Sequence, residues 1–246
     1  MSELLFGAAE IVAAVAGAER VLDAGCGSGR LTVALAEAGA AVTGVDTNAS
    51  QLDVAARRAA EAGASLQLLE ADFNDALPFA DATFDAVVSR LSVMAAPDPV
   101  ATLRELGRVL EPGGRLVTAL WASPGENAWF AAPREAIGVV LGQERSAFAR
   151  AFGKLGDLEE AAAAHRTAGL VDVDAVLLHG SRSAPDPAAY WAELSAENGH
   201  FRRVEAVLTD DERAALLTEL EERFAPYRER DRLTLPRTMV LVTAKR

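Results

Sequence analysis

Val21-Leu22-Asp23-Ala24-Gly25-Cys26-Gly27-Ser28-Gly29 decides the reading of this chain. Residues 20–24 are a short apolar run of strand type, and three glycines follow on alternate positions. Leu31 to Ala38 then has helical spacing. Strand, glycine turn and helix in that order make an anion-binding corner. Glycines allow positive φ and close approach of a ligand to the backbone, and the helix start offers free N–H groups with a partial positive charge. The anion could be a pyrophosphate or a carboxylate. A dinucleotide site wants G-x-G-x-x-G, and Arg30 stands where its third glycine would fall; here the third glycine is Gly29.

Outward from the turn, the pattern alternates. Ala41 to Val45 reads as a second strand ending at Asp46, Asn48 to Ala62 as a helix stopped by Gly63, and Ser65 to Glu70 as a third strand. Phe84 to Ser89 is a fourth strand. Asp98-Pro99 opens a helix with the stripe Val100, Leu103, Leu106 and Leu110, and Arg115 to Leu120 is a fifth strand after Pro112-Gly113-Gly114. This is the signature of a parallel sheet with helices on both faces. The second half is less regular. Between Trp121 and Gly156, Pro124, Pro133, Gly138, Gly142 and Gly153 break the pattern into short helical pieces. A helix follows from Asp157 to Ala168, a strand from Val171 to Leu178, a helix from Asp186-Pro187, another after the capping-box pattern Thr209 to Glu212, and a last strand from Thr238 to Thr243.

Composition narrows the function. The 246 residues carry a formal net charge of −12. Such a surface repels phosphate backbones, so nucleic acid is not the expected partner. The one cysteine, Cys26, rules out an internal disulfide and fits a reducing, cytoplasmic setting. Met1 to Arg20 lacks a basic start, so a signal peptide is not expected, and no apolar stretch is long enough to span a bilayer, so no membrane partner is expected. No metal site is expected. A homodimer is one option for the assembly.

Four segments in order resemble class I S-adenosylmethionine-dependent methyltransferases, especially the small-molecule branch related to ubiquinone and menaquinone methyltransferases: Val21 to Arg30, Val42 to Leu52, Glu70 to Phe73 with Phe84 to Arg90, and Leu110 to Thr118. The resemblance covers about the first half. It implies a Rossmann-like α/β fold: a seven-stranded, mostly parallel sheet of order 3-2-1-4-5-7-6, the last strand antiparallel and inserted, with a small helical cap. Residues 1–246 are then one methyltransferase domain, with 1–120 the cofactor-binding half and 121–156 and 185–230 the substrate-side cap. The implied cofactor is S-adenosyl-L-methionine, with S-adenosyl-L-homocysteine as product. Gly25 and Gly27 would pass beside its methionine part, with Asp23 orienting the loop and the backbone of Ser89 facing the amino group. Asp46, followed by Thr47, would hold the ribose hydroxyls, Gln51 would lie against the adenine, Asp72 would accept from the adenine amino group and the Phe73 N–H would cap a ring nitrogen. Asp46 also reads as a helix cap, and Asp72 as a turn residue beside Asn74 and Asp75. Relatives usually carry a few dozen residues ahead of the glycine strand where about 20 stand here, so the cofactor is expected to be more exposed or covered by the second half.

The acceptor side is thinner. Trp121, Asn127, Trp129 and Phe130 follow the fifth strand, where open α/β sheets bind ligands; they read equally as pocket wall or as packing. Tyr190 to Phe201 reads as a lid opposite them. Candidates for a base are His179, His200 and Tyr190, with His165 and Tyr227 behind. The expected function is methylation of a small-molecule acceptor; the alternative is a protein of the same fold that binds the cofactor without transferring its methyl group.

Overall fold

The computed structural model describes residues 5–145 and 154–246. At its centre lies β1 (Arg20–Ala24), paired in parallel with β2 (Ala41–Asp46) on one side and β4 (Phe84–Arg90) on the other. Outside these, β3 (Leu66–Glu70) joins β2 and β5 (Leu110–Trp121) joins β4, again in parallel. The remaining strands are β6 (Val171–Ala184), the two-residue β7 (Arg228–Glu229) and β8 (Arg232–Lys245). The order is β3-β2-β1-β4-β5-β8-β6, β8 runs antiparallel to β5, and β7 hangs on β8 as a hairpin. Leaving β7 aside, this is the order expected, with the last strand inserted.

Strands covered on both faces need apolar side chains in succession rather than alternation. Val21, Leu22 and Ala24 in β1, and Ala86, Val87 and Val88 in β4, are accordingly buried. On one face Leu22, Val45 and Val87 pack with Leu103 and Leu106 of α4 (Pro99–Val109) and Ala161 and Ala164 of α6 (Leu158–Thr167). On the other, Val21, Val42 and Val88 meet Ile11 of α1 (Ala8–Ala14) and Leu31 and Leu35 of α2 (Arg30–Glu37). Burying each such Leu or Ile is worth about 1.5–3 kcal/mol. Caps fix the helix starts: Asn48 accepts from Ser50 N–H at α3 (Ala49–Ala62), Asp98 from Val100 and Ala101 at α4, and Asp157 from Glu159 and Glu160 at α6. Gly63, at φ 67°, ends α3 in the left-handed conformation.

Several elements differ from the reading of the sequence: β6 runs past its expected end at Leu178 to Ala184, and three others differ for reasons their residues show. Helix α1 carries only Ile11 and Ala8 as its buried pair, too short a stripe to register as periodic. β8 begins at Arg232 rather than Thr238. Its first part alternates, with Leu233 and Leu235 buried, and the missing N–H of Pro236 hid the continuity. α5 (Ala128–Arg145) runs through Pro133 and Gly138 as one element and leaves helical geometry at Gly142, φ 72°. Proline deprives the carbonyl four residues back of its donor. That carbonyl, Trp129 C=O, is met by the Tyr190 hydroxyl instead. The expected break at Gly153 lies outside the described residues.

The chain parts into two compact units. The first takes 5–122, 154–178 and 239–246. The second takes 123–145 and 179–238, with α5, α7 (Pro187–Glu197), α8 (Gly199–Glu205) and α9 (Asp210–Phe224). Its centre is aromatic. Tyr190 meets Phe224 edge-on with centroids 5.1 Å apart, Phe130 meets Phe201 at 5.2 Å, and Trp191 meets Phe201 at 5.8 Å.

Candidate functional site

β1 ends in the glycine turn, and each glycine there answers a different demand. Gly25 has φ 77°, and a Cβ on it would sit 2.1 Å from Ser92 Oγ. Gly29 has φ 75° and starts α2; its Cβ would lie 2.7 Å from that of Ala55, so α3 packs directly on the backbone here. Gly27 has φ 52°, and among the described residues nothing lies within 4 Å of its would-be Cβ. The middle of the turn therefore borders open space. The turn is tied to β2 on its other side, where the N–H groups of Gly25 and Cys26 both donate to Val45 C=O at 2.9 Å.

Asp46 ends β2 beside this turn. Its Oδ2 accepts from Gly27 N–H at 2.8 Å and its Oδ1 from Asn48 N–H at 2.9 Å. The side-chain cap of α3 is Asn48, so the carboxylate ties the glycine turn to the residue that starts the helix rather than capping the helix itself. A carboxylate offers about four acceptor positions, so two remain for hydroxyl donors. Thr47 beside it is exposed and Gln51, in the first turn of α3, is half-buried. After β3, Asp72 Oδ1 accepts from both N–H and Nδ2 of Asn74, the turn role read as its alternative, while Oδ2 has no partner among the described residues. The Phe73 ring is buried, its Cε1 3.2 Å from the would-be Cβ of Gly25, and its backbone N–H makes no hydrogen bond among the described residues. Ser89 is fully buried, and its Oγ donates to Ala24 C=O at 2.8 Å. The structure thus gathers Asp23, Gly25, Gly27, Asp46, Phe73 and Ser89 around the carboxyl ends of β1, β2 and β4.

Asp23 is 1% exposed and accepts from Thr32 Oγ1 at 2.7 Å, which ties the first turn of α2 to β1. Burial raises its pKa to about 6, against the opposing pull of the Thr32 hydrogen bond and the Arg90 charge, with Asp46 adding to the rise. Burial likewise pushes the Cys26 thiol up to about 12, with Asp23 and Asp46 adding to it, so this cysteine is an unreactive packing group.

On the acceptor side the candidates fall in different units. Trp121 belongs to the first, where its ring stacks on Phe6, centroids 6.2 Å apart and 19° between planes. Asn127, Trp129 and Phe130 belong to the second. Asn127 is fully buried and clamps Thr238, donating to its C=O at 3.0 Å and accepting its N–H at 2.9 Å; the Trp129 indole donates to the same Asn127 Oδ1 at 3.0 Å. Tyr190 is fully buried, its hydroxyl bound to Trp129 C=O and its pKa raised by burial. His179 is exposed and lies 3.3 Å from Thr238 Oγ1. His200 is half-buried in α8, its pKa lowered by burial and by Arg203 and Arg134. His165 is buried in the first unit between Thr118 Oγ1 and Ala161 C=O. Trp121 and Phe130 are the two members of the aromatic set that stay half-buried rather than buried.

Residues 22–118 match the methyltransferase domain family. The match is reinforced by a demethylmenaquinone methyltransferase of Thermus thermophilus, 39% identical over 142 residues, which are 57% of this chain and 59% of that protein. A second, from Clavibacter sepedonicus, is 42% identical over 113 residues, 46% of this chain and 45% of its own length. An uncharacterized protein of Mycobacterium tuberculosis is 43% identical over 106 residues, 43% of this chain and 38% of that protein. The chain thus spans between about two-fifths and three-fifths of the curated relatives it matches. The fold is shared over nearly the whole length with solved structures: a putative methyltransferase of Bacillus halodurans (TM-score 0.64, 20% identity, 96% of this chain and 97% of that one) and a [4+2]-cyclase (TM-score 0.57, 22% identity, 96% and 78%).

Several residues around the glycine turn escaped the sequence. Ser92 donates to Gly25 C=O at 3.2 Å from a position 67 residues away, with no local pattern to mark it. Thr32 looks like any helix residue until Asp23 is seen beneath it. Gly44 could have been found, since a glycine inside a strand marks a close approach. A Cβ there would lie 3.0 Å from Cys26 Sγ, so β2 makes room for the turn. Among the described residues, no helix is long and apolar enough to cross a membrane.

Proposed function

We propose that this protein transfers the methyl group of S-adenosylmethionine to a small-molecule acceptor. The observation that carries the reading is the carboxylate of Asp46 hydrogen-bonded to the N–H of Gly27, a glycine with open space in front of it. The residues fit such a cofactor. The open face at Gly27 admits a ligand against the backbone, Asp46 keeps acceptor capacity for the two ribose hydroxyls, and the Phe73 N–H has no acceptor among the described residues. In this reading Gly25, Gly27 and Asp23 hold the methionine end, with Ser89 behind the turn, Asp46 holds the ribose, and Gln51, Asp72 and Phe73 hold the adenine. The cofactor supplies an electrophilic methyl group on its sulfonium. The chain's part is to hold both partners, exclude water and align the accepting atom, which can supply much of the acceleration without a dedicated base. His179 and His200 are the candidates for taking a proton; Tyr190 is the weaker one, because its hydroxyl is held by Trp129 C=O. A small-molecule acceptor is supported by the two demethylmenaquinone methyltransferases among the relatives and by the net charge of −12, which disfavours nucleic acid. The same reading places the reaction in the cytoplasm.

A second reading is a protein that binds the cofactor and does other chemistry, and the fold shared with a [4+2]-cyclase favours it. Methyl-labelled S-adenosylmethionine incubated with the protein and a library of phenols, quinols, amines and carboxylates separates the two. Label entering the small-molecule fraction, and lost in Asp46→Ala, is the expected result. Tight binding of S-adenosylhomocysteine with no transfer to any member would favour the second reading.

A further inference from the structure

We propose that Arg58 and Ser92 are positioning residues: from outside the glycine turn they fix its backbone so that the site selects ligands carrying an amino-acid carboxylate. The inference rests on the cofactor reading above. The hydrogen bonds of the turn's own backbone can be followed group by group. The N–H groups of Gly25 and Cys26 donate to Val45 C=O, that of Gly27 to Asp46, and that of Gly29 to Cys26 C=O at 3.0 Å. Gly29 C=O accepts from Val33 N–H at 2.9 Å, and Gly27 C=O from the Cys26 thiol at 3.9 Å. Side chains from elsewhere take the two carbonyls left over. Ser92 Oγ donates to Gly25 C=O at 3.2 Å, and the Arg58 guanidinium donates to Ser28 C=O. Every carbonyl from Gly25 to Gly29 is therefore turned onto a donor of the protein, while the Ser28 N–H has no acceptor among the described residues. The turn offers a donor and no free carbonyl, a surface that suits an anion.

Each of the two donors is held by its own element. α3 rests on the turn at Ala55, whose Cβ is 2.7 Å from the would-be Cβ of Gly29. Arg58 stands three residues further along α3 and so on the same face. It is half-buried and makes no ion pair among the described residues, so the Ser28 carbonyl is its polar partner there. Ser92, also half-buried, is reached through an uncommon bend at the exit of β4. Leu91 has φ 65°, a costly conformation for leucine, and its N–H donates to Ala119 C=O at 2.7 Å. The Ser92 hydroxyl is shared with Arg90 C=O at 3.3 Å, and a Cβ on Gly25 would lie 2.1 Å from it. Removing either donor leaves a turn carbonyl unpaired. A peptide plane freed in this way can swing its carbonyl toward the ligand, where it repels a carboxylate. Neither side chain is hydrogen-bonded to Asp46, so the hold on a ribose does not depend on them.

The test titrates the whole chain calorimetrically with two ligands. S-adenosylhomocysteine carries the amino-acid end, and 5′-methylthioadenosine is the same kind of nucleoside thioether without it. Arg58→Ala and Ser92→Ala should each weaken S-adenosylhomocysteine about 3- to 10-fold, the range of one net hydrogen bond, while 5′-methylthioadenosine stays within about twofold of wild type. Arg58→Lys, which keeps a donor on a long stem, should recover part of the loss. Ser92→Ala changes no charge, so a selective loss there comes from the turn's geometry and not from attraction to a cation. Equal losses for the two ligands make the side chains general supports of the fold and overturn the proposal. So does S-adenosylhomocysteine affinity unchanged in Ser92→Ala, or a wild type that binds S-adenosylhomocysteine but not 5′-methylthioadenosine. Ser92→Ala decides the matter even if Arg58→Ala does not fold. A wild type that binds neither ligand overturns the cofactor reading, and this inference with it.

Discussion

Gly27 and Gly29 stand two residues apart, both with positive φ, and differ in what a methyl group would meet. At Gly27 it enters open space; at Gly29 it lies 2.7 Å from Ala55 Cβ. Both substitutions to alanine carry the left-handed cost of about 1–2 kcal/mol. Gly29→Ala adds a steric clash of about 1–3 kcal/mol. Urea unfolding should find Gly29→Ala the less stable by that difference, while Gly27→Ala, on the proposed reading, loses more S-adenosylhomocysteine affinity. Asp23 supplies a second test. Its folded pKa is raised from 3.8 to about 6, so the native state binds a proton more readily than the unfolded chain. Its effect on stability therefore becomes unfavourable as pH rises from about 4 through 6. Stability of the wild type minus that of Asp23→Asn, measured by denaturant titration, should fall across that window and level off above it. A difference independent of pH would contradict the burial argument. At this scale the sequence was legible where a residue acts on its neighbours along the chain or at a strand end, as Gly25, Gly27 and Asp46 do. Ser92 and Arg90 were not, because their partners are 67 and 84 residues away.

Two elements show what holds the helices in place. In α5, Pro133 leaves Trp129 C=O without its intrahelical donor, and the Tyr190 hydroxyl supplies one. Tyr190→Phe should cost about 1–3 kcal/mol, the penalty of a buried carbonyl left unpaired, and lower Tm by about 2–4 °C per kcal/mol. Methyl transfer measured at a temperature where the variant is folded should be unchanged; a large loss there would make Tyr190 catalytic after all. In α6, His165 sits between Thr118 Oγ1 at 3.0 Å and Ala161 C=O at 2.7 Å, an arrangement that suits a neutral ring with its proton on Nδ1. Burial lowers its pKa below the ordinary 6.5, so the unfolded chain takes up the proton first. Its contribution is complete above about pH 6.5 and declines as pH falls below that value. Wild-type stability minus that of His165→Gln should therefore decrease from pH 7 toward pH 5. Caps made these helices readable: Asn48, Asp98, Asp157 and Thr209 each stand where the sequence puts a start. α5 was unreadable through Pro133, because the compensating hydroxyl comes from another helix.

Across the molecule, legibility divides at the end of β5. Up to Trp121, successive strands mostly pair with near neighbours in the chain and, apart from the edge strand β3, are largely buried, so apolar runs and turn residues carry the fold. Beyond it, β8 must travel back to lie between β5 and β6, and the helices of the second unit are held by rings from distant segments, as Phe130 and Phe201 illustrate. No local pattern records such pairings. The strand order was available only through the resemblance carried by the four motifs.

The central claim is that Asp46 and the glycine turn together hold the adenosyl cofactor. Isothermal titration of S-adenosylhomocysteine into the wild type and Asp46→Ala tests it most directly. The carboxylate's charge-assisted hydrogen bonds are worth about 1.5–3 kcal/mol, so the variant should bind about 10- to 150-fold more weakly. The Gly27 and Asn48 N–H groups that Asp46 now satisfies could also loosen the turn, and an unchanged Tm beside the weakened binding separates the two effects. Wild-type affinity retained in Asp46→Ala would contradict the account.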